Sequence, residues 1–222
     1  MLSCTSAPLH PSTSAPPLSC TVIIPARNES ERIGQVIKDS QKHAGEVIVV
    51  DDASTDGTAG VARELGATVV GNTRRRGYIG AIKTGFQRAS GDIVVTIDAD
   101  GEHDPRDIPQ LIKPISDGKA DLVLGKREEI SRISEKFINW LTSFKVKVAD
   151  SGTGFRAIKR ELAVQLKLTG KCTCGILVLE ANHHGARTAE VPVSLRPVLK
   201  PRKIAWGHFQ QIFYVLRWLI GW

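Results

Sequence analysis

The sequence predicts an α/β fold in which a mostly parallel, twisted sheet is flanked by helices. Apolar runs recur without alternation at 21–25, 46–50 and 93–97, the mark of strands buried on both faces. Stretches of helical spacing separate them, which implies right-handed crossovers between parallel strands. The runs end on Pro25, on Asp51-Asp52 and on Asp98, so polar groups gather along one rim of the sheet. The carboxyl ends of the strands are where open α/β sheets bind ligands.

Residues 1–19 are rich in Ser, Pro and Thr and are expected to be a disordered leader. Thr21 to Pro25 is the first strand. After Ala26-Arg27-Asn28-Glu29, Ser30 is expected to cap a helix with Ile33, Val36 and Ile37 on its apolar face. Glu46 to Val50 is the second strand, and a turn through Asp56-Gly57 leads to a helix carrying Val61, Ala62 and Leu65. For Asp56, chemistry at that helix start is the preferred role. A third strand spans Ala67 to Gly71, a basic loop follows at 74–80, and a helix runs from about Ala81 to Ala89. The strand ending at Asp98 precedes a helix from Pro105, with Asp104 as its cap. Asp121 to Gly125 is a further strand. Beyond it, Ile133, Phe137, Trp140, Leu141 and Phe144 have helical spacing with Lys136, Lys145 and Lys147 interleaved. Leu177 to His184 reads as helix and Thr188 to Val193 as strand. The domain is bounded at 20–199. Residues 200–222 are a basic, then apolar and aromatic segment suited to a membrane interface.

A chain of 222 residues suffices for one such domain with a short appendage. Four cysteines, at 4, 20, 172 and 174, form neither a disulfide framework nor a zinc ribbon, which fits a reducing compartment. The net charge of +7 is spread along the chain and points to an anionic partner. No apolar run reaches the roughly 18 residues that span a bilayer.

The chemistry concentrates in Asp98-Ala99-Asp100. Carboxylates two apart on extended chain leave on the same side and repel unless a cation lies between them. Oxygen ligands select Mg²⁺ or Mn²⁺, ions that keep positions open for phosphate oxygens. Most such triplets are merely acids in a solvated turn; here the buried strand before it and the capped helix after it favour the metal and diphosphate.

The order of several motifs resembles inverting glycosyltransferases of family 2. These are Pro25 to Glu29, Val50 to Thr58, Asp98 to Asp100, Asp121 to Arg127 and Ser151 to Ala157. Asp150 to Arg156 and Glu190-Val191-Pro192 are most similar to the dolichyl-phosphate mannosyltransferase branch. The resemblance covers about residues 20–195 and implies a GT-A fold of the nucleotide-diphospho-sugar transferase type. It implies that Pro25, Ala26, Glu29 and Asp52 border the nucleoside, and that Asp98, Ala99 and Asp100 meet the donor diphosphate. Asp98 and Asp100 are the implied metal ligands, with Glu102 where the family has Gln. His103 is expected to hydrogen-bond the turn. Arg127, Arg132 and, in a basic loop with Lys200 and Lys203, Arg202 are the implied acceptor-phosphate ligands. Asp100 and Arg127 are the expected catalytic residues.

The implied reaction is metal-dependent transfer of a hexose, mannose from GDP-mannose first, to a polyprenyl (dolichyl) phosphate. The alternative is a UDP-linked sugar with a polyprenyl-phosphate or saccharide hydroxyl acceptor. Cys172, Cys174 and Ile176 stand where relatives carry paired acids, leaving Glu180 as the first acid there. The Q-x-x-R-W of polymer synthases lacks its Gln at Tyr214. Both departures disfavour polymer synthesis. A receiver-type signalling domain fits poorly, since the acidic pair follows the second strand. No motif supports nucleic-acid binding. The expected location is cytoplasmic, peripheral to the cytoplasmic face of a membrane, with oligomeric state left open.

Overall fold

The computed structural model describes residues 18–130, 132–197 and 206–220. The elements in order are β1 (Cys20–Ala26), α1 (Ile33–Ser40), β2 (Glu46–Asp51), α2 (Thr58–Glu64), β3 (Thr68–Gly71), α3 (Gly77–Arg88) and β4 (Ile93–Thr96). A turn of 3₁₀ helix (Pro105–Asp107) leads into α4 (Ile108–Ser116). Then come β5 (Leu122–Lys126), α5 (Ile133–Ser143), β6 (Arg156–Lys159), α6 (Arg160–Ala163), α7 (Ile176–His183), β7 (Thr188–Pro192) and α8 (Trp206–Ile220).

Seven strands form one sheet in the order β3-β2-β1-β4-β6-β5-β7. Every pairing is parallel except those of β6, which runs antiparallel to both β4 and β5. The mostly parallel α/β fold is therefore as the sequence predicts. Both faces of the sheet are covered, which is why its strands read as unbroken apolar runs. Ile23, Ile48 and Val94 pack with Ala81, Ile82 and Phe86 of α3 on one side. Val22, Val49 and Val95 pack with Ile33 and Ile37 of α1 and Leu111 of α4 on the other. Each such isoleucine or leucine, fully buried, contributes about 1.5–3 kcal/mol.

Two helix starts differ from expectation. Ser30 does not cap α1: its backbone N–H donates to Asp56, and the helix begins at Ile33 without a side-chain cap. The chain at 28–30 is instead laced to the loop after β2, with Asn28 accepting from Thr55 N–H at 2.9 Å. Helix α3 begins at Gly77 rather than near Ala81. Asp52 accepts from Arg76 N–H and Gly77 N–H, at 2.7 and 2.8 Å, and so satisfies donors at the start of that helix. Asp104 does cap its helix, accepting from Arg106 N–H at 3.0 Å.

The leader lies outside the described residues apart from its last two. Ser19 is tied to Asp92 through both its backbone N–H and its hydroxyl. Lys200, Arg202 and Lys203 also lie outside them. One face of α8 is built into the domain. Gln211 and Val215 are fully buried there, and Gln211 accepts from Lys171 and Cys172 N–H while donating to the Cys174 carbonyl.

Candidate active site

The loops at the carboxyl ends of β1, β2 and β4 enclose a cavity of about 360 Å³. Pro25, Ala26, Glu29, Asp52, Asp98, Ala99 and Asp100 all line it, together with Arg75 and Tyr78. These are the residues the sequence groups on the donor side. The loops that build it are held by short polar contacts. Asp51 accepts from Ser54, Glu29 N–H donates to the Thr58 hydroxyl, and Asp56 accepts from Thr58 N–H at 2.9 Å. Burial raises the Asp56 carboxyl, but the Thr58 and Ser30 hydrogen bonds outweigh this and bring it down to about 2. Asp56 thus serves a helix start, as its position predicts.

A second cavity, of about 270 Å³, lies beside the first. It is lined by Glu102, His103, Arg127, Arg132, Glu135 and Thr173, among others, and it shares Tyr78, Asp98 and Asp100 with its neighbour. The D-x-D therefore stands in the wall common to both. The Tyr78 hydroxyl donates to Asp98 Oδ1 at 3.0 Å. Burial, then the Asp98 charge, holds the phenol well above its usual range, so it stays a donor. Asp100 accepts from Glu102 N–H at 3.2 Å, which fixes the turn after β4. Gly154 leaves room for Asp98, since a Cβ there would stand 2.1 Å from Asp98 Oδ2. The Thr96 hydroxyl holds the Gly154 carbonyl at 2.8 Å, so that close approach is built in.

Arg127 reaches the second cavity, but most of its fork is engaged. Nε and Nη2 donate to Asp150 at 2.7 and 2.9 Å, and Nη2 also donates to Glu135 at 2.9 Å. Burial works against the Arg127 cation, yet Asp150 and Glu135 more than compensate and raise its pKa. Burial likewise pushes Asp150 up and the Arg127 contacts bring it below its ordinary value. Arg132 pairs with Glu135 at 3.4 Å and is more exposed. Glu190, of the late E-V-P motif, accepts from Ala149 and Asp150 N–H and seats this cluster on β7. His103 is buried against Phe155. Burial and then Arg127 lower its pKa to about 4, so it is neutral near neutral pH. Its backbone bridges Leu195. Glu180 is structural, accepting from Lys167 and Leu168 N–H.

The donor set fits a hard divalent cation: two carboxylates on one rim, with open cavity on either side for phosphate oxygens. Among the described residues no three His, Cys, Asp or Glu side chains form a ready cluster for a metal. Glu102 lines the same cavity as Asp98 and Asp100 without completing a cage.

Sequence reasoning misses Tyr78, Arg75, Glu135 and the space at Gly154. Tyr78 and Asp98 are twenty residues apart on different elements, and no local periodicity reports such a pair. The arginines of 74–76 signal a basic loop without saying which one turns inward.

Residues 21–176 match the glycosyl transferase family 2 model. The chain is 31% identical to an uncharacterized protein of Methanocaldococcus jannaschii, over 78% of this chain and 79% of that one. It is 29% identical to a UDP-N-acetylglucosamine–dolichyl-phosphate N-acetylglucosaminyltransferase of Methanococcus voltae, over 78% and 83%. Among solved structures, glucosyl-3-phosphoglycerate synthase of Mycobacterium tuberculosis, in complex with Mn²⁺, UDP-glucose and phosphoglyceric acid, superposes with a TM-score of 0.76. Identity is 26%, covering 90% of this chain and 79% of that one. With the donor-side residues around one cavity, these likenesses make the chain a member of glycosyl transferase family 2, with a GT-A fold.

Proposed function

We propose that the protein transfers a hexose from a nucleoside-diphosphate sugar to a polyprenyl phosphate, with inversion and with the help of a divalent cation. One observation carries the reading: two cavities meet at Asp98 and Asp100, one lined by the donor-side residues and the other by Arg127 and Arg132. The donor diphosphate lies at the shared wall, with Arg75 close to it. An acceptor phosphate oxygen approaches C1 of the sugar from the second cavity. The bond from that oxygen to C1 forms as the bond from C1 to the diphosphate oxygen breaks, and the nucleoside diphosphate leaves with the electron pair. Entry and departure on opposite sides invert the configuration.

A phosphate oxygen is already anionic near neutral pH, so no general base has to remove a proton. Arg132, with the part of Arg127 not held by Asp150 and Glu135, meets the acceptor's charge. A cation held by Asp98 and Asp100, Mg²⁺ or Mn²⁺, would neutralise the charge that grows on the leaving diphosphate. Asp52, already committed to the start of α3, contributes to the nucleoside pocket mainly by shaping it.

The motif order favours mannose from GDP-mannose. A second reading, a UDP-linked hexose, is favoured by the uridine donors named for two compared proteins. Among the described residues no helix is long and apolar enough to cross a membrane. The reading places the protein peripherally on the cytoplasmic face of a membrane, where a lipid phosphate and a soluble nucleotide sugar can meet.

The test is turnover of GDP-mannose, UDP-glucose and UDP-N-acetylglucosamine with a short-chain isoprenyl phosphate, with and without Mg²⁺ or Mn²⁺. Product from one donor, lost with EDTA and in Asp100→Ala, is the expected result. Transfer to free sugars but not to the isoprenyl phosphate would overturn the acceptor assignment.

A further inference from the structure

Helix α5 faces two ways, and its outer face runs against the usual rule for surface helices. Ile133, Phe137, Trp140 and Phe144, which helical spacing makes look like a core stripe, are 85%, 42%, 55% and 63% exposed. The buried side carries Glu135, Ile138, Asn139, Leu141 and Thr142 instead. The exposed rings form a continuous ladder, with Phe137 stacked on Trp140 at 5.5 Å and Trp140 edge-on to Phe144 at 4.9 Å. A contiguous apolar patch of this kind marks an interaction surface.

Charge identifies what the surface meets. From Arg132 to Ala149 the chain has four cations, Arg132, Lys136, Lys145 and Lys147, and a single acid, Glu135. Glu135 is buried and already paired with Arg127 and Arg132. The three lysines are exposed, beside or just beyond the stripe, and Val146 and Val148, which alternate with the last two, are buried. A second copy of the chain placed on this face would bring lysines against lysines. An anionic lipid surface takes both the apolar ladder and the cations. Helix α8 packs beside α5 and leaves Phe213, Leu216 and Ile220 exposed, with Arg217 as the one charge between Gln210 and Ile220.

We propose that the outer face of α5 is the surface by which the protein lies on an anionic bilayer, its aromatic ladder in the interfacial layer and Lys136, Lys145 and Lys147 among the headgroups. The inner face of the same helix supplies Glu135, which holds Arg127 and Arg132 in the second cavity. A further cavity of about 520 Å³, lined by Arg127, Lys126, Lys136 and Ile130 with Glu128 and Glu129, links that arginine to the lysine side of α5. Given the polyprenyl-phosphate reading above, on which this step rests, the docked helix sets the site at the height of a lipid's phosphate. The docking element is then α5, with α8 anchored into the domain through Gln211 and Val215.

The experiment is co-sedimentation of the full chain with phosphatidylcholine vesicles, with and without phosphatidylglycerol, at low and high salt. Phe137→Ser/Trp140→Ser should weaken binding roughly tenfold at either salt. Lys136→Glu/Lys145→Glu/Lys147→Glu should remove the preference for phosphatidylglycerol, and Val164→Ser, an exposed apolar position elsewhere, should bind as the parent does. Vesicle binding that survives in both multiple variants overturns the proposal. So does a fall from dimer to monomer mass in lipid-free sedimentation, which would assign the face to a second copy. Transfer to a soluble isoprenyl phosphate without vesicles, measured in parallel, separates the two readings. Its retention in Phe137→Ser/Trp140→Ser alongside lost vesicle binding supports docking, whereas its absence in the parent protein counts against the acceptor assignment and leaves the vesicle result to judge the surface.

Discussion

The hydroxyl of Tyr78 donates to Asp98 Oδ1 at 3.0 Å, across the wall that separates the two cavities. The phenol fixes one oxygen of a proposed metal ligand. Partners of this kind orient a ligating carboxylate, and their loss typically costs about 10–100-fold in metal affinity. Tyr78→Phe should raise the Mg²⁺ or Mn²⁺ concentration needed for half-maximal turnover by about tenfold. The melting temperature without metal should change little. An unchanged metal titration would mean that the tyrosine only fills space.

Asp98 also depends on the space left by the absence of a side chain at Gly154. A Cβ there would stand 2.1 Å from one carboxylate oxygen and 2.8 Å from the other. Gly152, two residues earlier, leaves 3.4 Å to Arg127 Nη2, an ordinary van der Waals contact. Gly154→Ala should turn Asp98 away and reduce kcat at least about tenfold, the scale of a misplaced charge-stabilising group. Gly152→Ala should stay close to the parent. Equal kinetics for the two variants would show that Asp98 has room to move without cost.

How far the sequence could report these relationships depends on distance along the chain. The D-x-D, the strand before it and the Asp104 cap are local, so the pattern of residues exposes them. The cavity at the ends of β1, β2 and β4 is legible because each of its loops follows a buried strand, and parallel topology brings those ends together. The pairs that set geometry are not local. Asp52 reaches forward to the start of α3, Gly154 opens space for Asp98, and Glu190 seats the loop at Asp150. Helix α5 shows a different limit. Its spacing gives the helix correctly, but apolar periodicity cannot distinguish a stripe that faces the core from one that faces outward. Here the inner face is the more polar one, because it holds Arg127 through Glu135 and Ser151 through Asn139.

Arg127 and Arg132 line the same cavity but are held differently, and that difference is measurable. Asp150 is fully buried, and Arg127 satisfies it with two parallel hydrogen bonds. A lysine cannot reproduce that fork. Arg127→Lys should therefore lower stability by about 2–3 kcal/mol, the cost of a poorly paired buried carboxylate, and should impair donor and acceptor use together. Arg132, with one ion pair at 3.4 Å, has less structural work. Arg132→Ala should leave the melting temperature nearly unchanged while raising the acceptor KM. Denaturant titration beside steady-state kinetics for both substrates distinguishes the two. A selective acceptor defect in Arg127→Lys, with full stability, would make the pairing with Asp150 unimportant.

The turn after the D-x-D is held from above by Arg196. Its guanidinium donates to Asp39 at 3.1 Å and to Asp104 at 2.6 Å, and its backbone N–H to the Glu102 carbonyl at 2.7 Å. Arg196, four residues beyond the end of β7, thus joins α1 to the cap of the 3₁₀ turn. The Lys42 hydrogen bond, with help from Arg196, lowers the Asp39 carboxyl from 3.8 to about 2. Arg106 and then Arg196 hold Asp104 lower still. A carboxyl whose folded pKa is depressed stabilises the fold fully above its unfolded value and loses that stabilisation as pH falls through the folded one. For Asp39 this window runs from about pH 4 down to about 2. Arg196→Met should cost about 1–2 kcal/mol at neutral pH, since one side chain serves two well-buried carboxylates. Its acid-unfolding midpoint should move to higher pH, because Asp39 and Asp104 would then protonate more readily in the folded state. In Asp39→Asn the dependence of stability on pH across that window should flatten. Acid titrations followed by circular dichroism measure all three proteins. If Arg196→Met unfolds at the same pH as the parent, the two ion pairs contribute nothing to the stability of the turn.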